Sequence, residues 1–238
     1  MTASEPTGAA NLPTVVVTGG NRGIGFEVCR QLSEAGYRVV LGSRDAQRGQ
    51  AAMARLGHPE VHAVQLDVDD DESVTMAARW VADHLGRCDA LVNNAAIDYD
   101  TDQHASTADL DRVHRIVETN VFGAWRTTLA FLPLLRRSEH PRIVNVSSEA
   151  GSVTRMGTGP PGYQVSKAAL NAFTRTLAAE LQHDHFLVNA VSPGWTATDM
   201  GRGGRSVHDG AASVVWAVRL PDVGPAGGFF RDGQPVAW

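Results

Sequence analysis

Val15-Val16-Val17-Thr18-Gly19-Gly20-Asn21-Arg22-Gly23-Ile24-Gly25-Phe26 decides the fold. Three β-branched residues, stiff at their first side-chain torsion and at home on a pleated surface, read as the end of a strand. The glycines that follow permit a sharp turn and close backbone approach. Beyond them Phe26, Cys29, Leu32 and Ala35 recur every three residues, a spacing that keeps them along one side of a helix. The stretch therefore reads strand, tight turn, helix.

The same alternation continues outward. Short apolar runs fall at Val39-Val40-Leu41, Val61 to Leu66, Ala90-Leu91-Val92, Ile143 to Val146 and Phe186 to Val191. Between them lie helically spaced sets such as Val74, Ala77, Ala78 and Val81, or Ala169, Leu170, Phe173, Leu177 and Leu181. Near-continuous apolar strands separated by helices call for a parallel sheet covered on both faces, the α/β doubly wound arrangement of a Rossmann-type fold. No linker, repeat or charge block interrupts it, so residues 1–238 are expected to form a single domain. Residues 1–11 are expected to be a flexible N-terminal segment. The glycine-rich stretch over about 195–215 could serve as a substrate lid or merely connect two elements.

Composition narrows the function. With 238 residues, 43% of them hydrophobic and 20% charged, the chain is an ordinary globular one. Its formal net charge of -5 offers no basic footprint, which argues against nucleic acid as a partner. Cys29 and Cys88 match no metal or disulfide spacing, and no histidine pattern suggests a metal. The amino terminus lacks the apolar core of a signal peptide and no apolar run spans a bilayer, so no membrane is expected as partner and the cytoplasm is the expected location.

Gly19, Gly23 and Gly25, with Asn21, Arg22 and Ile24 between them, can bring main-chain N–H groups and a helix N-terminus against a pyrophosphate. At the end of the second strand, where an acid would bind the ribose hydroxyls of NAD, the sequence reads Ser43-Arg44. Arg44 and Arg22 suit a 2′-phosphate instead, so NADPH/NADP is the expected cofactor. Tyr163 and Lys167, four residues apart, share a helix face, and a nearby ammonium lowers the pKa of a phenol. Ser147-Ser148 ends one strand and Asn93-Asn94-Ala95-Ala96 another, at the edge where α/β proteins bind ligands. Asn120 falls in the helical segment that follows.

Taken together these residues resemble the short-chain dehydrogenases/reductases of the non-extended type, over almost the whole chain, and among them the NADPH-dependent carbonyl reductases. The resemblance rests on Thr18 to Gly25, Asn93 to Ala96, Asn120, Ser148, Tyr163 with Lys167, and Pro193-Gly194 with Thr198, all in the family's order. It implies hydride transfer to a ketone or aldehyde while Tyr163 gives a proton to the oxygen. Lys167 would tune the tyrosine and bind the nicotinamide ribose, Ser148 would orient the carbonyl, and Asn120 would hold a water. Asp67, Val68, Asn93, Ala95, Pro193, Gly194, Thr196 and Thr198 would frame the cofactor, and Glu149 and Trp195 would join Ser148 and Tyr163 around a small-molecule carbonyl or alcohol. Ala96 replaces the usual glycine, and either Ser147 or Ser148 could face the substrate, Ser148 being preferred. The chain lacks the insertion associated with monomeric relatives, so helix faces around Trp125 and Phe173 are expected to pair in a homodimer or homotetramer. The competing reading is a catalytically silent NADP(H)-binding sensor or scaffold, since fold alone does not fix function.

Overall fold

The computed structural model describes residues 12–198 and 203–238. In chain order the main elements are β1 (Thr14–Val17), α1 (Gly23–Glu34), β2 (Arg38–Ser43), α2 (Ala46–Leu56), β3 (Val61–Gln65), α3 (Asp71–Leu85), β4 (Ala90–Asn93) and α4 (Leu110–Val117). A π-helical turn, Glu118–Gly123, then leads into α5 (Ala124–Leu135), followed by β5 (Arg142–Val146), α6 (Pro161–Glu180), β6 (Leu187–Val191), α7 (Val207–Val218), β7 (Phe229–Arg231) and β8 (Gln234–Pro235). The strands form one sheet in the order β3-β2-β1-β4-β5-β6-β7-β8. All neighbours are parallel except β7 and β8, which pair antiparallel at the edge. The doubly wound sheet is as expected; the short terminal hairpin has no counterpart in the sequence reading.

Alternation along the strands builds two cores. Val16, Leu91, Ile143 and Val188 point to the face covered by Phe131 and Leu135 of α5 and Leu170 of α6. Val15, Val17, Val92 and Val144 point to the other, where Cys29 and Leu32 of α1 meet Val214 and Val218 of α7. Every residue of β1, β4, β5 and β6 is buried, as a sheet covered on both sides requires. Burial also pushes the thiols of Cys29 and Cys88 well above their ordinary pKa, which makes them inert packing groups.

Because β1 pairs with β2 on one side and β4 on the other, the chain leaves β1 and returns across it, opening a crevice at the carboxyl ends of β1 and β4. The stretch read as either a lid or a connection divides in two. Trp195 and Arg205 are tied together through Ala197 N–H to Arg205 O (3.1 Å) and Arg205 N–H to Trp195 O (2.9 Å), and residues 199–202 lie outside the described residues, as do 1–11. Residues 207–215 are no lid: they belong to α7, with Gly210, Ala211, Val214 and Val215 buried, because their apolar side packs into the core beside α1. Among the described residues no helix is long and apolar enough to cross a membrane.

Candidate active site

The crevice is a cavity walled on one side by the turn after β1. Gly19 adopts a left-handed φ of 63°, and a Cβ on Gly25 would lie 2.4 Å from Asn94 Nδ2 and 2.5 Å from Gly19 O. Only glycine fits there. The turn is held from below by the end of β4: Thr18 Oγ1 accepts from the amides of Asn94 and Ala95 at 2.9 Å each, and Asn94 Nδ2 donates to Thr18 O at 2.9 Å. A rigid loop therefore leads into the N-terminus of α1, whose unpaired N–H groups and positive dipole end suit an anion.

Of the residues proposed to hold a cofactor, Gly19, Asn21, Arg22, Gly23, Ile24, Gly25, Arg44, Asp67, Val68, Ala95, Tyr163, Lys167, Pro193 and Thr198 all line this cavity. Three do not. Asn93 is buried beneath the floor, where its Nδ2 donates to Thr128 Oγ1 (3.0 Å) and Asn145 Oδ1 (2.8 Å) while Asn145 Nδ2 donates to Thr174 Oγ1 (2.9 Å). This ladder joins α5 to α6 through the sheet, and Asn94, one residue on, takes the place at the cavity wall. Asn93 Oδ1 is left buried with no protein partner. Gly194 turns the chain with φ 70°, and Thr196 hydrogen-bonds back to Pro193 O and Gly194 O, so both shape the wall without lining it.

At the far end of the cavity stand Arg22 and Arg44, joined by Arg48 from the first turn of α2. An acid, Asp45, is present two residues past β2, but it is the N-cap of α2: its Oδ1 accepts from Arg48 N–H (3.0 Å) and its Oδ2 lies 3.4 Å from Arg48 Nε.

The opposite end is buried. Tyr163 and Lys167 are both buried on the first turns of α6, with Lys167 Nζ 5.6 Å from the Tyr163 ring centroid and hydrogen-bonded to Val146 O at 2.8 Å. Removal from water pushes the phenol up to about 12, partly opposed by hydrogen bonding with the Ser148 hydroxyl, and pushes the ammonium down to about 8. This reverses the expected depression of the tyrosine: burial dominates, and the Ser148 hydroxyl offsets only part of it. The two serines are distinguished by their partners. Ser147 lines the cavity, but its Oγ is spent on Asn171 Oδ1 (2.7 Å); Ser148 is not among the lining residues, and its hydroxyl is the one that lowers the Tyr163 pKa. Ser148 Oγ also accepts from Ala150 N–H at 3.2 Å, which fixes its direction.

Asn120 lies in the π-helical turn, a local widening that frees backbone groups and recurs at functional sites. Its side chain does not line the cavity. Oδ1 accepts from Ile97 N–H (2.8 Å), and Nδ2 donates to Ser166 Oγ (3.0 Å), which in turn donates to Tyr163 O (2.8 Å). Of the residues expected around a substrate, Glu149 and Trp195 do not line the cavity: Tyr99 meets the Tyr163 ring edge-on at 5.0 Å and Trp195 at 5.6 Å, and Glu149 is paired with Arg231 (2.7 Å) and Arg155 (3.2 Å).

The sequence model described as short chain dehydrogenase matches residues 13–207. The chain belongs to the short-chain dehydrogenase family. The (+)-neomenthol dehydrogenase of Arabidopsis thaliana is 37% identical to it over 92% of this chain and 96% of its own length. Salutaridine reductase of Papaver bracteatum is 33% identical over 94% and 96%. Among solved structures, the NADPH-bound carbonyl reductase from chicken fatty liver superposes with a TM-score of 0.86 at 27% identity, covering 95% of this chain and 99% of that one. As a short-chain dehydrogenase the protein is an oxidoreductase of a family that uses nicotinamide cofactors. The cavity fits such a cofactor on its own chemistry, with a glycine cradle that any Cβ would fill at one end of the phosphate path and arginines beyond it.

Sequence reasoning missed Arg48 and gave Thr18 and Asn94 no role beyond membership of their motifs. Arg48 carried a legible signal, since the N-cap of α2 at Asp45 places its first turn beside the end of β2. Asn94 was passed over for Asn93, because only the end of β4 decides which of two adjacent asparagines turns into the sheet.

Proposed function

We propose that this short-chain dehydrogenase is an NADPH-dependent reductase of ketones or aldehydes in which Tyr163 is the proton donor. The observation that carries the reading is that buried Tyr163 and Lys167 line the same cavity as Arg22, Arg44 and Arg48. Those guanidiniums would hold the 2′-phosphate, the N-terminus of α1 the pyrophosphate, and Lys167 the hydroxyls of the nicotinamide ribose. The bound cofactor supplies the hydride. Ser148 orients the carbonyl by donating a hydrogen bond to its oxygen, and Tyr163 transfers its proton to that oxygen as negative charge develops there. A phenol held at about 12 remains protonated throughout the neutral range and suits reduction better than alcohol oxidation, which needs the phenolate.

Tyr99, edge-on to the Tyr163 ring, and Trp195, half exposed and against Tyr99, offer two aromatic surfaces beside the proton donor, a fit for bulky or cyclic carbonyl compounds. Trp125 stacks on Phe173 at 4.6 Å and, with Phe122 and Leu129, leaves an exposed apolar face on α5 and the turn before it, which supports pairing of two chains there. The test is cofactor consumption with NADPH and NADH against quinones, aromatic aldehydes and bulky cyclic ketones. Turnover with NADPH preferred is the expected result; binding of NADPH with no reduction across a widened panel would favour the sensor reading.

A further inference from the structure

Asp100 is fully buried, yet it is a carboxylate outside the cavity wall. Its Oδ2 accepts from Gly162 N–H at 2.8 Å and its Oδ1 from Tyr163 N–H at 3.0 Å. The start of α6 explains why it is needed. The N-cap, Pro160, has no side-chain acceptor, and Pro161 at the first helical position has no N–H, so Gly162 and Tyr163 offer the first amides that require a partner. A charge from the loop after β4, 62 residues away in sequence, supplies both partners and matches the positive end of the helix.

The loop that carries Asp100 is itself fixed. Asn120 bonds both the N–H and the carbonyl of Ile97. Asp98, at a left-handed φ of 56°, makes a two-pronged pair with Arg112 (2.6 and 2.7 Å), and Asp102 takes a third prong at 2.8 Å. Between these anchors Tyr99 lies edge-on to the Tyr163 ring. Gly162 is where the loop, α4 and α6 converge: a Cβ there would lie 2.9 Å from Asp100 Oδ2 and 2.9 Å from Ile116 Cδ1.

We infer that Asp100 is a positioning residue for the proton donor, its carboxylate holding the first turn of α6 so that the Tyr163 hydroxyl stays in register with Ser148. This rests on the reading of Tyr163 as proton donor. Half an ångström of play at the amide of Tyr163 is passed to the far end of a rigid phenol, and misplacement of about 1 Å can lower a rate roughly a hundredfold.

Asp100→Asn preserves shape but replaces one accepting oxygen with an NH2 that cannot receive either amide. The expected result is a kcat at least about fivefold lower, with NADPH affinity and KM within about twofold of the parent. Titration of tyrosine absorbance, read as the difference from Tyr163→Phe, gives a second readout that needs no substrate. The groups facing the phenol are Lys167, Tyr99 and Ser148, unchanged in the variant, so a loosened turn that admits water should move its ionisation down by about half a unit or more. A merely structural carboxylate would lower the melting temperature and leave both readouts of the folded protein as they were.

If Asp100→Asn does not fold, Gly162→Ala decides, because its methyl would press on side chains, Asp100 Oδ2 and Ile116 Cδ1 at 2.9 Å and Val113 Cγ2 at 3.3 Å, rather than on backbone; a several-fold drop in kcat and a shifted tyrosine titration are expected. Parental kcat and parental tyrosine titration in the folded variants would overturn the proposal. Absence of turnover in the parent would instead count against the reductase reading, while the titration would still decide the role of Asp100.

Discussion

The two ends of the cavity are built on opposite principles. At one end Arg22, Arg44, Asp45 and Arg48 are exposed charges on a loop and the first turn of α2, set by backbone geometry and screened by water. At the other, Tyr163, Lys167, Ser147, Asn120 and Asn171 are buried, and nearly every polar atom is committed to a partner at 2.7 to 3.5 Å. On the proposed reading, cofactor choice rests on groups that can be changed with little effect on folding, whereas the chemistry rests on groups whose burial shifts their pKa values and ties them to stability.

The largest expected effect breaks the buried end. Tyr163→Phe removes one oxygen, and a loss of roughly 10²- to 10⁴-fold in kcat is expected, the usual contribution of a general acid, with NADPH binding retained.

Next, Lys167→Met should lower kcat by about a hundredfold while raising stability near neutral pH. The sign follows from the depressed pKa. In the unfolded chain lysine is protonated up to about 10.5, in the folded one only up to about 8, so folding loses favour as pH falls from 10.5 to 8 and stays disfavoured below. Removing the amine relieves this by on the order of 2 kcal/mol at pH 7, an advantage that should shrink between pH 8 and 10.5. Denaturant melts at pH 7 and pH 10 would measure it, and a destabilised Lys167→Met at pH 7 would mean that the bond to Val146 O outweighs the burial.

Arg44→Asp probes the exposed end. A shift of about tenfold or more in the NADPH-to-NADH ratio of kcat/KM is expected, with stability within about 0.5 kcal/mol of the parent. An unchanged ratio would remove the phosphate role of the arginine wall.

The smallest catalytic effect separates the serines: Ser147→Ala should leave kcat within about threefold while costing about 1–3 kcal/mol, since Asn171 Oδ1 loses its donor in the core. A kcat collapse in Ser147→Ala with Ser148→Ala active would exchange their roles.

The exposed end was largely legible in sequence because its features are local: a glycine turn, a strand end, residues a few positions apart. The alternation of apolar runs likewise announced the sheet, and Tyr163 with Lys167 needed only a helix. What escaped was set by long-range contact. The capping of α6 by Asp100 joins residues 62 positions apart and leaves no local pattern. Asn93 and Asn94 look equivalent until the pleat sends one into the ladder with Asn145 and the other to the turn. The tyrosine pKa went the other way for the same reason: spacing reveals a neighbouring cation, but the degree of burial is a property of the whole fold. The run Val207 to Leu220 carried a helical pattern, yet the glycines before it drew attention to a lid instead.

The most direct test of the account is reduction of a bulky cyclic ketone by NADPH at pH 7, parent beside Tyr163→Phe, with cofactor binding measured in both. The account predicts that both proteins bind NADPH alike and that only the parent reduces the ketone. Equal turnover in the two would contradict it.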